Sequence, residues 1–372
     1  MSTLRIAVVE PYLGGSHRAW AEGYAAASSH DVEVFGLPGT HWKWRMQGGH
    51  VTLAPRLAEA VDRNGPFDAV LATSTTNLPG LLGCARDALA GAAVVLYLHE
   101  NQLTFPRPPH EAEDLTYAMI NWTSMVVADR VVFNSEFHRR DWFGAVRGFL
   151  RRMPDQRHDG LVDAVEASSL VLPVGVDVAS SVSAPRERGR RPVVLWNHRW
   201  EYDTGPDEFA DAIDSLVRSG VEFDVALAGE RFTTEPAALG RLRELLGDRL
   251  VHDGHAAPDE YRRLLGRSDV VVSTAVQEFF GISITEAVAA GAFPVVPNRL
   301  VYPERIPPEH HADCLYDGAD GLVERLRWAL THREAAARIA DALTAVMAAC
   351  DWSTVAPAYD ALLTDLAVVR SV

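Results

Sequence analysis

The chain has 372 residues, 48% of them hydrophobic, a formal net charge of −15 and a mean hydropathy of −0.04. That length accommodates two ordinary domains, and no apolar run approaches the roughly 20 residues a membrane-spanning helix needs. Three scattered cysteines, Cys84, Cys314 and Cys350, exclude a disulfide framework and a cysteine metal site, while the acidic balance opposes wholesale phosphate neutralisation.

Apolar runs alternate with helical-period segments from end to end, the pattern of an α/β protein with parallel sheets. The first run, 6–10, begins close to Met1 without a signal-peptide pattern, so a cytoplasmic location is expected. It feeds Gly14-Gly15-Ser16-His17, where the glycines permit close backbone approach and Ser16 is expected to cap a helix. This is neither a Gly-x-Gly-x-x-Gly fingerprint nor a Walker loop. Next, His41-Trp42-Lys43-Trp44-Arg45 concentrates aromatic faces and cations, the pairing that stacks bases and contacts phosphate, around the chain's single lysine. Core packing of both tryptophans is the plain alternative.

Further runs are expected as strands at 32–37, 69–73, 94–99, 130–134 and 170–173. The strand through 98 delivers His99-Glu100-Asn101-Gln102, four hydrogen-bonding side chains where the chain leaves a sheet, which marks a cleft-lining loop. Asn134-Ser135-Glu136 follows the next strand, either as site residues or as a helix cap. Six arginines against two aspartates over 139–157 make a locally basic segment on an acidic chain. The stretch 179–192 is polar, charged and without hydrophobic period, and residues 181–192 of it are expected as a linker between domains at 1–180 and 193–350.

The second set of strands is expected at 193–196, 223–229, 250–253, 269–274 and 293–297. Behind the first of these stands Asn197-His198-Arg199-Trp200-Glu201, whose Arg199 suits a diphosphate, and Arg231 after the next strand offers another cation. The most informative stretch runs from Glu278 through Phe280-Gly281-Ile282-Ser283 to Glu286. Here a strand ends, a glycine turn opens a helix whose free amides welcome a diphosphate, and two carboxylates eight residues apart can hold sugar hydroxyls. Asp351-Trp352-Ser353 then caps a last amphipathic helix over 351–372.

The Glu278/Glu286 pattern resembles the Glu-x7-Glu motif of retaining GT-B glycosyltransferases of family 4. Within that group the GGSH loop, the Trp42–Arg45 cluster, the 97–103 and 133–135 segments, Pro154-Asp155-Gln156-Arg157-His158 and the Arg199 loop resemble the tRNA-queuosine α-mannosyltransferase family. The resemblance implies two facing Rossmann-like domains with a cleft between them and a last helix crossing back to the first. It implies mannose transfer from GDP-mannose to queuosine in an aspartate tRNA, with no metal and no other cofactor. By position, Glu278 holds donor-sugar hydroxyls, Glu286 the nucleotide ribose, Arg199 the diphosphate and His99 the sugar near the reacting carbon. Gly14, Gly15, Phe280, Gly281, Ile282 and Ser283 complete the donor side. Ser16, His17, Trp42, Lys43, Trp44, Arg45, Glu100, Asn101, Gln102, Asn134 and Ser135 form the acceptor side. One departure stands out, since the family's lysine five residues beyond the arginine is Thr204 here, and Arg231 is the expected replacement. The rivals are a GT-B enzyme with a small-molecule or lipid acceptor, a noncatalytic sugar-nucleotide or modified-tRNA binding module, and a sugar-nucleotide epimerase. Oligomeric state stays open.

Overall fold

The computed structural model describes residues 3–107, 113–182, 186, 188–230 and 235–370. Two compact units divide the chain, one of residues 1–175 with 352–372 and the other of 176–351. The first contains β1 (Arg5–Leu13), β2 (Asp31–Pro38), β3 (Ala69–Thr73), β4 (Ala93–Leu98), β5 (Arg130–Phe133) and β6 (Leu170–Val171). They pair in parallel in the order β2-β1-β3-β4-β5-β6, with Ile6 opposite Val32 on one side and Ala69 on the other. Strands β3 and β4 are buried at every position, as parallel strands covered by helices on both faces must be. Leu53, Leu57, Trp122, Trp142 and Phe149 supply part of that cover.

The second unit repeats the scheme with β7 (Val193–Trp196), β8 (Asp224–Ala228), β9 (Leu250–Gly254), β10 (Val270–Val272), β11 (Phe293–Pro297) and β12 (Leu315–Tyr316). Its order is β12-β11-β10-β7-β8-β9. Chain direction around the sheet therefore reverses between β7 and β10 in this unit and between β1 and β3 in the first. Crevices outside the carboxyl ends of strands at such reversals are where α/β sheets hold ligands. Strand β12, of two residues, is not among the strands expected from the sequence.

The polar stretch 181–192 differs from a free linker. The chain passes between units at Gly175 and Val176, and helix Val178–Val182 already belongs to the second unit, with Val178 and Ser181 buried. Beyond it Arg188 donates to the Gly291 carbonyl at 2.7 Å, so part of this segment is bound to its own unit. Residues 183–185 and 187 lie outside the described residues. Among the described residues, no helix is long and apolar enough to cross a membrane.

Helix Trp352–Arg370 returns to the first unit and packs on helix Gly15–Ala27. The indole of Trp352 fills a slot that exists because Gly23 and Gly175 lack side chains; a Cβ on either would fall 2.3 Å from it. About two turns on, buried Asp360 accepts hydrogen bonds from Tyr24 Oη (2.9 Å), Ser28 Oγ (2.6 Å), and Ser29 N and Oγ (both 2.8 Å). Burial alone would raise the pKa of this carboxyl, but those four donors outweigh it and hold it below the ordinary value. Asp360→Ala is expected to cost on the order of 2–3 kcal/mol by leaving buried donors unpaired, measured by urea denaturation. A depressed folded pKa gives stability that is full above the unfolded value and lost in acid, so the gap from wild type should narrow as pH falls below about 4.

Candidate active site

In the first unit the site grows from Glu10, a fully buried residue near the carboxyl end of β1. Its Oε1 accepts from the Tyr12 amide at 2.9 Å and from the Thr75 hydroxyl at 2.6 Å, while Oε2 lies 2.8 Å from His17 Nδ1 and 4.0 Å from His99 Nε2. His17 occupies the first turn of helix Gly15–Ala27. Gly14, not Ser16, is the N-cap; Ser16 is exposed inside the helix, so the expected Ser16 cap is not formed. Burial alone would lower the His17 pKa, but Glu10, helped by Glu100, outweighs it and pushes the ring up to about 10. His99 goes the other way, well below its ordinary value, through burial and the neighbouring His17 and His138 rings. The rings of His17 and His99 are 4.6 Å apart, and their surroundings push the two pKa values in opposite directions. His99 packs edge-on against Trp20 at 4.6 Å, and its Nε2 has no hydrogen-bond partner among the described residues.

The second unit places its polar groups at its own reversal. After β7, Asn197 Nδ2 donates to Tyr261 Oη and to the Ser283 carbonyl, both at 2.9 Å. Tyr261 Oη in turn donates to Glu286 Oε2 at 2.8 Å. After β10, Glu278 Oε1 accepts from the amides of Phe279 and Phe280 at 3.0 and 3.1 Å. Gly281 sits at φ 82°, a left-handed conformation that lets this loop turn sharply into helix Ile282–Ala289, whose N-terminus has no side-chain cap. Burial raises the pKa of Glu278, opposed by these amides and by Arg199. Burial also carries Glu286 up to about 7, with Tyr261 opposing and Asp177 reinforcing.

Arg199 is half exposed and pairs with Glu201 at 2.6 Å and Asp203 at 3.1 Å. Thr204 is buried, and its hydroxyl donates to the carbonyls of Arg199 and Glu201 at 3.0 and 2.7 Å. The side chain at this position therefore closes the Arg199 turn. Arg231 lies outside the described residues. Among the described residues, Glu10, His17 and His99 form a group able to hold a metal ion, with ligand atoms within 4.8 Å of one another. At 2.8 Å the Glu10–His17 contact has the length of a charge-assisted hydrogen bond.

Residues 5–176 match the family described as tRNA-queuosine alpha-mannosyltransferase N-terminal, and 180–344 match glycosyl transferases group 1. A tRNA-queuosine alpha-mannosyltransferase of Drosophila melanogaster is 32% identical over 331 residues, covering 86% of this chain and 85% of that protein. The chain belongs to the tRNA-queuosine alpha-mannosyltransferase family. It is a glycosyltransferase with the GT-B fold. Sucrose-phosphate synthase from Thermosynechococcus elongatus shares that fold at TM-score 0.73 and 16% identity, over 98% of this chain and 100% of that one. So does a glycosyltransferase from Rickettsia africae, at TM-score 0.71 and 14% identity, over 98% and 99%.

In this member of the tRNA-queuosine alpha-mannosyltransferase family, several expected site residues also take part in building loops. Asn101 is fully buried and its Oδ1 accepts from the Leu103 and Thr104 amides at 3.0 and 2.9 Å. The Gln102 amide donates to Asn121 at 2.9 Å. Asn134 Nδ2 donates to the His99 carbonyl at 2.8 Å, which leaves its Oδ1 to accept from His138 Nδ1 at 2.9 Å. Ser135 is the N-cap of helix Glu136–Leu150, accepting from the His138 amide at 3.0 Å. Phe280 is buried beneath the Arg305 guanidinium, 4.4 Å from its ring centre. The tryptophans divide. Trp42 packs on Tyr117 at 5.0 Å with Lys43 over its ring, Arg45 donates to the Pro38 carbonyl at 3.1 Å, and Trp44 stands 62% exposed.

Glu10, Tyr261 and Arg305 escaped the sequence reading. Glu10 carried one available signal, an acid closing an otherwise apolar strand just ahead of a glycine loop. Glu286 generates a pH prediction. A carboxyl whose folded pKa is raised from 4.5 to about 7 destabilises its unit as pH rises through that interval. Glu286→Gln removes this penalty, so the variant should unfold at higher urea than wild type at pH 8, by on the order of 1–3 kcal/mol, with little difference at pH 5. A variant equally shifted at both pH values contradicts the assignment.

Proposed function

We propose that the protein transfers mannose, with retention, from GDP-mannose to queuosine in aspartate tRNA, in the cytoplasm. The observation that carries this reading is the 32% identity to the fly tRNA-queuosine alpha-mannosyltransferase across 86% of the chain. The local chemistry supports it. Glu278 and Glu286 frame a helix start with free amides, an arrangement suited to sugar and ribose hydroxyls beside a diphosphate. In this reading Arg199 exchanges its carboxylate partners for the diphosphate, and Arg231 takes the place of the lysine missing at Thr204. The helix start and these arginines stabilise the leaving diphosphate without a divalent cation. The acceptor hydroxyl attacks on the face the diphosphate leaves.

The acceptor side is supported by Trp44, an exposed aromatic face flanked by Lys43 and Arg45, which fits an unstacked base and its phosphates. The net charge of −15 is the observation that favours a non-RNA acceptor.

Incubation with queuosine-containing and queuosine-free tRNA and a panel of sugar nucleotides, followed by nucleoside mass spectrometry, decides between them. A hexose mass appearing on queuosine alone, with GDP-mannose as donor, is the expected result. Folded protein that adds no mass with any donor contradicts it, and mass added to a small metabolite instead supports the rival. Trp44→Ala should raise the KM for tRNA roughly tenfold, the loss of one stacked base, while GDP-mannose binding by calorimetry stays unchanged.

A further inference from the structure

Tyr261 has no part in the roles above, yet it holds the carboxyl assigned to the donor's ribose. It belongs to helix Pro258–Arg267, where buried Leu264 and Leu265, three and four residues on, mark the inward face. Ser283 and Glu286, also three residues apart, share one side of helix Ile282–Ala289. Asn197 and Tyr261 bridge them: Asn197 Nδ2 lies 2.9 Å from both the Ser283 carbonyl and Tyr261 Oη, which lies 2.8 Å from Glu286 Oε2. The chemistry of these groups fixes every hydrogen in the bridge. A carbonyl only accepts, so the Asn197 atom facing Ser283 is the amide nitrogen. Its two hydrogens go to the carbonyl and to the phenol oxygen, which leaves the phenol's single hydrogen for Glu286. This order holds whatever the charge of Glu286, because Oε2 serves only as an acceptor. It also has a cost: Asn197 is 6% exposed, and its Oδ1 is buried without a partner among the described residues. Turning the amide over would set oxygen against the Ser283 carbonyl and draw the phenol's hydrogen away from Glu286.

We propose that Tyr261 and Asn197 are positioning residues for donor recognition, pinning Glu286 by Oε2 so that its other oxygen, Oε1, is held ready for the hydroxyls of the donor's ribose. Oε1 makes no hydrogen bond among the described residues. This rests on the nucleotide-sugar reading above, in which Glu286 meets the ribose, and adds what sets that carboxyl. An unpinned carboxyl on a flexible side chain gives up rotamer freedom when a ligand binds, whereas a pinned one has given it up beforehand. The ribose is remote from the bond that breaks, so the benefit falls on donor affinity and not on the chemical step.

Calorimetry with GDP and with 2′,3′-dideoxy-GDP tests this, because the ratio of their affinities isolates the ribose hydroxyls from the base, the diphosphate and the soundness of the unit. Wild type should favour GDP by roughly 10- to 100-fold, the range of hydrogen bonds to a carboxylate. In Tyr261→Phe, which removes a single oxygen, the ratio should fall to about threefold or less through weaker GDP binding, with the dideoxy ligand held as before. In turnover assays the same variant should raise the KM for GDP-mannose by the factor lost for GDP, with kcat changed less than about twofold. Asn197→Asp keeps the phenol but cannot donate to it. The phenol's hydrogen then turns to the new carboxylate, and the ratio should collapse as in Tyr261→Phe. A wild-type ratio in either variant, however far both affinities drop together, marks a merely structural role and overturns the proposal. So does a wild type that does not distinguish the two ligands. Wild-type protein that binds UDP in place of GDP defeats the GDP-mannose reading instead, while the ratio between UDP and 2′,3′-dideoxy-UDP still decides the place of Tyr261. Folded protein that binds neither nucleotide defeats the sugar-nucleotide reading and the proposal with it.

Discussion

A charge removed from water has to be paired where it lies, and in the first unit that requirement falls on Glu10. Several kcal/mol of desolvation stand against burying a carboxylate, so its surroundings must return hydrogen bonds and an opposite charge. The Tyr12 amide, the Thr75 hydroxyl and the His17 ring return them. Because those groups sit at the end of β1, in the loop after β3 and in the first turn of a helix, satisfying one side chain fixes three backbone segments at the sheet's reversal. The His99 loop is drawn into the same set at 4.0 Å and is latched from behind by Asn134.

The terminal helix completes that arrangement from the other side. Tyr359 Oη receives the Trp20 indole N–H at 3.3 Å and donates to the Pro173 carbonyl at 3.0 Å. Trp20 stacks on Tyr97 at 4.8 Å and presents its edge geometry to His99. An imidazole held against aromatic faces has little rotational freedom, so the returning helix contributes to the order of the His99 loop. Asp360 and the Trp352 slot secure that helix on its own unit.

The second unit solves a different problem, keeping acids available instead of neutralising them. Glu278 and Glu286 are held by neutral donors, backbone amides in one case and a tyrosine hydroxyl in the other, and burial raises the pKa of both. Such carboxyls retain lone pairs, which suits hydroxyl recognition. Thr204 fits the same logic, since its hydroxyl closes the Arg199 turn and leaves the guanidinium as the turn's own cation.

Among the described residues, eleven of the twelve strands, the loops that follow them, and the Glu278–Glu286 helix start were legible in the sequence, because strand and helix periods are written in neighbouring residues. The two-residue strand β12, the early passage between units at Gly175 and the short helix Val178–Val182 were not. Of the polar residues after the strands, the sequence determined that a site lies there but not how each is employed. Asn101, Asn134 and Ser135 have the composition of ligand contacts, and each also holds a loop or a cap. Glu10 looked like the end of a strand, and its importance depends on Thr75, 65 residues away, and on exclusion from water. Likewise Trp20 and Tyr359 meet across 339 residues. Local pattern determined the fold class and the chemical class; only the tertiary structure decided which polar groups are buried, paired and charged, because burial and partnership are properties of the packed chain and not of its neighbours in sequence.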